Sequence, residues 1–92
     1  MNNMIVFDDD FVSEHITELL DLKINRFTIE GDQIAKVVEL LELAGNSEAQ
    51  LRAKRNSVVK LLTEDRDDEA AWATMSGVVH VIDGFILTLL RV

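Results

Sequence analysis

Four stretches of the chain repeat apolar residues at helical spacing, and turn-forming residues separate them. Val12, Ile16, Leu19 and Leu20 fall on one face of a segment running from about Phe11 to Leu22. Ile34, Val37, Val38, Leu41 and Ala44 make a stripe along Gln33–Ala44, widened by Leu40 and Leu43, while Lys36, Glu39 and Glu42 mark the wet side. Leu51, Val58 and Leu62 line a third segment, Glu48 to about Thr63. The fourth runs from about Asp68 to Leu90 and is apolar around nearly its whole circumference.

The boundaries carry recognisable chemistry. One of Asp8, Asp9 and Asp10 caps the first helix, and the others suit the positive end of its dipole. Gly31 supplies a turn and Asp32 an N-cap for the second helix, which Gly45-Asn46 ends in the left-handed conformation. Ser47 caps the third, with Gln50 in the reciprocal capping-box position. Neither glycine nor proline interrupts residues 46–76, but the acids from Glu64 to Glu69 suit a helix N-terminus and fit badly at a C-terminus, so a break is expected there. Met4–Phe7 and Arg26–Ile29 allow a short strand or a hairpin around the first helix; Met4–Phe7 reads equally as a lead-in packing on that helix. The expected architecture is mainly α, a compact bundle of about four helices in one domain over residues 1–92, with the hairpin of 4–7 and 26–29 as its variable part.

The last segment changes the picture most. A helix apolar on nearly all sides must be covered on all sides, and three short companions leave room for a second copy of the chain. Small or weakly polar residues at Ala73, Gly77, Gly84 and Thr88 permit close backbone approach. Gly77, Val81, Gly84, Phe85 and Thr88 are the expected oligomer interface. Ala70–Leu90 is also long enough to span a bilayer, but Asp83 costs about 2.5–3.5 kcal/mol at the centre of such a span and His80 adds to it, so a membrane partner is disfavoured.

Charge narrows the partners. The net charge is −8, from 17 acids and 9 bases. Such a chain repels nucleic acid and anionic membranes over most of its surface, so direct nucleic-acid binding is not expected and its natural partners are basic. The plainer reading is that the acidity serves solubility. Met1–Met4 contains no base, and the apolar run Met4–Phe7 is too short for a secretory signal, which points to the cytoplasm.

Catalytic material is sparse. There is no cysteine, no phosphate-binding loop, no nucleophile elbow and no zinc motif, so the chain reads as a non-enzyme with neither cofactor nor metal. His15, beside Glu14 and one turn from Glu18, reads as solvated. His80 and Asp83 stand three residues apart and read as a polar pair satisfied in the core or across an interface. Arg52, Lys54, Arg55 and Lys60 lie within nine residues, but Lys54 leaves the face that Arg52 and Arg55 share.

In size, acidity, helicity and lack of catalytic groups the chain resembles phage-encoded inhibitors of host defence; the likeness is compositional and carries no site. The leading expectation is an oligomeric, acidic protein-binding module that docks on a basic, nucleic-acid-binding surface of another protein. Asp8, Asp9, Asp10, Glu64, Asp65, Asp67, Asp68 and Glu69 would make the contact, with Trp72 as an anchor beside the acidic run and Asp21, Glu30, Asp32, Glu39 and Glu42 in support. Two alternatives stand beside it: an oligomeric binder of small anions or nucleotides through Arg52, Arg55 and Lys60, and a secretion or assembly chaperone working through an apolar groove.

Overall fold

A computed structural model describes residues 12–64 and 68–91 of the chain. Among these residues the architecture is four helices and no strand: α1 (Ile16–Asp21), α2 (Gly31–Leu41), α3 (Glu48–Thr63) and α4 (Glu69–Leu90). The Cα radius of gyration is 12.8 Å, close to the roughly 12 Å of a compact chain of this length. The N-terminal half of the expected hairpin, Met4–Phe7, lies outside the described residues, as do Asp8, Asp9 and Asp10.

The antiparallel pair α3–α4 is the frame, and α1 and α2 pack against α4. Both long helices begin as their sequences dictate. Ser47 Oγ accepts from the Gln50 amide at 3.2 Å while Gln50 Oε1 accepts from the Ser47 amide at 2.8 Å, a complete capping box. Asp68 caps α4 by accepting from the Ala71 amide at 2.8 Å. Glu64 is extended, at ψ 125°, so α3 and α4 are separate helices. Leu51, Val58 and Leu62 of α3 and Val78 and Ile82 of α4 are fully enclosed, together with Leu19, Ile24, Val37 and Leu41 from the N-terminal half. Each such side chain contributes about 1.5–3 kcal/mol through removal from water.

Four expectations are corrected. The first helix is not continuous over Phe11–Leu22: residues 12–13 are helical, a turn at residues 14–15 separates them from α1, and His15 leaves helical geometry at φ −109°, ψ 2°. Residues 26–29 form a turn and not a strand. Asn25 Oδ1 takes the Phe27 amide at 2.8 Å and Asn25 O takes the Thr28 amide at 2.9 Å, so the side chain of Asn25 closes the backbone on itself before any alternation is used. The N-cap of α2 is Glu30 and not Asp32: Gln33 Oε1 receives the Glu30 amide at 3.1 Å, and Gln33 Nε2 reaches Leu22 O at 3.0 Å, tying the end of α1 to the start of α2. Finally, α2 ends at Leu41 and not near Gly45. Glu42 takes the left-handed conformation at φ 49°, and the Leu43 amide bonds back to Val38 O at 3.1 Å in a Schellman closure that buries Leu43. Gly45, at φ 81°, serves the turn that follows. Val37, Leu40 and Leu41 are the buried residues of α2, while Ile34 in its first turn and Ala44 beyond its end are exposed.

Candidate interaction surface

The basic run of α3 divides by face. Lys54 is completely enclosed, three residues from Leu51 and four from Val58 on the inward stripe. Its Nζ donates to Leu41 O and, at 3.1 Å, to Glu42 O, so a cation sits at the negative end of α2 and serves the carbonyls that the helix leaves unpaired. Burial pushes the Lys54 ammonium below its ordinary pKa, and the nearby Glu42 carboxylate partly restores it. Arg52 Nε bonds Glu48 Oε2 at 2.8 Å one turn away in the same helix. Arg55 Nε bonds Asp83 Oδ1 at 2.8 Å, linking α3 to α4. Lys60 is exposed.

That last contact corrects the expected His80–Asp83 pair. Asp83 is half-buried and takes its partner from α3, whereas His80 is exposed. The carboxylates proposed for partner contact divide differently. Glu64, Asp68 and Glu69 are exposed, as are Asp21, Glu30, Asp32, Glu39 and Glu42; Asp65 and Asp67 lie outside the described residues.

The apolar surface of α4 is distinctive. Its inward arc, with Ala71, Met75, Val78 and Ile82, is buried. The outward arc is not covered: Trp72 is 50% exposed, Leu87 57% and Leu90 58%. Towards its C-terminus even the inward arc emerges, with Leu89 exposed. Two clefts flank this end and share Phe85 and Thr88. One, of about 460 Å³, is floored by Leu43 and Leu51 and edged by Leu89. The other, of about 290 Å³, lies between Ile34 of α2 and His80, Val81 and Gly84 of α4. A third, of about 170 Å³, at the N-terminal half of α4, is lined by Asn25, Arg26, Phe27, Trp72, Ala73 and Ser76. Phe27 is 80% exposed, and the Arg26 guanidinium lies 4.8 Å from its ring centroid.

Of the five residues expected at an oligomer interface, Val81, Gly84, Phe85 and Thr88 therefore line one cleft. Gly77 is placed elsewhere: it faces inward, against Ile24. Phe27, Ile34, Leu87 and Leu90 were not anticipated as surface residues. Phe27 had a usable signal, since Asn25 and Arg26 put it in a polar turn. Ile34 had none, because it shares the inward stripe with Val37 and Leu41 and is left open only by the cleft between α2 and α4.

By length and composition α4 is long and apolar enough to cross a membrane, a test that the core helix of a soluble protein also passes. Among the described residues no cluster of His, Cys, Asp or Glu is arranged to hold a metal. No protein family matches this chain, and neither a curated protein nor a solved structure shows significant similarity to it.

Proposed function

We propose that the protein is a non-enzymatic binding module that self-associates through the uncovered flank of α4 and turns an acidic surface towards a basic partner. The observation that carries this reading is the exposure of Trp72, Leu87 and Leu90 on one long helix. Large apolar side chains exposed at both ends of one helix suit an interaction surface, and tryptophan is enriched where binding energy concentrates. With α4 engaged in self-association, the outward face left over is rich in carboxylates. The partner this suits is a protein groove built for nucleic acid, in which the carboxylates occupy positions that phosphates would take. Arg52 and Arg55 already hold carboxylate partners, which favours this reading over an anion clamp on α3.

Capture of partners from a lysate at low and high ionic strength tests it. A nucleic-acid-binding protein retained at low salt and released at high salt is the expected result, because charge-driven contacts are screened. Retention indifferent to salt contradicts it.

A further inference from the structure

The outward line of α4 has a symmetry that specifies how two copies would meet. It runs through Glu69, Ala73, Ser76, His80, Gly84, Leu87 and Arg91, and none of these residues is buried. The steps between them are four, three and four on each side of His80, so the line reads the same spacing in both directions. Glu69 and Arg91 each lie eleven residues from His80, which is about 16 Å at 1.5 Å per residue.

We infer that a second copy of the chain covers this line, antiparallel and related by a two-fold axis passing beside His80. The inference rests on the self-association proposed above and specifies its geometry. Three matches support it. An antiparallel two-fold brings Glu69 of each copy opposite Arg91 of the other, so both ends of the contact are oppositely charged, and the two helix dipoles oppose. Leu87 lies opposite Ala73, which lines the cleft beside Phe27 and Trp72. That cleft, about 170 Å³, has room for one leucine side chain, and Leu87 is the exposed leucine at the matching position. Gly84 lies opposite Ser76, and a Cβ at Gly84 would meet no atom within 4 Å, so the backbones are free to approach there. A parallel arrangement would instead stack Glu69 on Glu69 and leave both clefts unfilled.

The chain contains no cysteine, so single-cysteine variants of the full-length protein report the arrangement directly. His80→Cys is expected to form a disulfide-linked dimer on mild oxidation, because only residues beside the axis meet their own copies. Glu69→Cys and Arg91→Cys are expected to remain unlinked alone and to cross-link when mixed. Arg91→Glu is expected to weaken association roughly fivefold or more, and Glu69→Arg with Arg91→Glu to recover it. Circular dichroism on each variant confirms the fold, which these exposed positions do not perturb. If light scattering finds a dimer but His80→Cys does not link and the mixture does not cross-link, the two-fold arrangement is overturned while self-association stands. If the unmodified protein is a single subunit at all concentrations tested, both are overturned.

Discussion

Gly77 of α4 packs directly beneath Ile24: a Cβ on Gly77 would stand 2.1 Å from Ile24 Cγ2 and 3.0 Å from its Cβ. This contact seats the segment between α1 and α2 on α4, and Ile24 is fully enclosed by it. Helix propensity alone predicts that Gly77→Ala stabilises by about 1 kcal/mol. The contact predicts the reverse. Overpacking costs about 1–3 kcal/mol, and the backbone carbon of Ile24 at 3.4 Å limits escape by a rotamer change. After crediting the propensity gain, the expected outcome is a net loss of up to about 2 kcal/mol, read from urea unfolding, in place of the gain that propensity alone predicts.

Lys54 is the second point at which an ordinary sequence rule fails. Lys54→Ala removes both the enclosed stem and the donor to Leu41 O and Glu42 O, and is expected to cost about 2–4 kcal/mol. Lys54→Met keeps most of the stem and is expected to cost about 1 kcal/mol, since it also relieves the burial of a charge. The pH dependence has a definite sign. Burial lowers the pKa in the folded state below the ordinary 10.5, with the Glu42 carboxylate opposing. Between the lowered value and 10.5 the unfolded chain binds more protons, so this group makes stability rise with pH through that window. Chemical denaturation in steps across it should show the rise in the native protein and lose it in Lys54→Met.

These two residues show where the sequence was legible and where it was not. Local chemistry came through. The Ser47–Gln50 capping box and the break among the acids both act within a few residues of themselves, and the structure has each in place. What did not come through was decided at a distance. The end of α2 depends on Lys54, more than a turn into the next helix, and Glu42 takes the left-handed conformation three residues before Gly45, which has no Cβ to oppose it. Lys54 did leave a trace, because it leaves the face of Arg52 and Arg55 and falls on the stripe of Leu51 and Val58, but nothing within α3 shows that it reaches the end of α2. The inward use of Gly77 and the Arg55–Asp83 link are likewise contacts between elements, invisible to spacing within one helix.

Lys23 closes α1 in the left-handed region at φ 50°, with its amide on Leu20 O at 3.3 Å. A non-glycine residue there carries a steric cost of about 1–2 kcal/mol, partly offset in any glycine variant by the greater freedom of the unfolded chain. Lys23→Gly is therefore expected to stabilise by roughly 0.5–1 kcal/mol. The measurement is the urea midpoint, which should rise with the slope unchanged.

The Arg55–Asp83 bond joins the two longest helices but remains partly open to solvent. A double-mutant cycle with Arg55→Ala and Asp83→Ala is expected to give a coupling of about 0.2–1 kcal/mol that shrinks with added salt. A coupling of several kcal/mol, insensitive to salt, would mean that the pair is far better shielded than its exposure indicates.

The most direct test of the account is the solution mass of the protein and of a variant carrying Leu87→Glu and Leu90→Glu, by light scattering across a range of concentrations. Both leucines are exposed in the single chain, so the substitutions spare its core. The account predicts an assembly of at least two copies for the unmodified protein and a folded single subunit for the variant. A well-folded single subunit in both cases would contradict it.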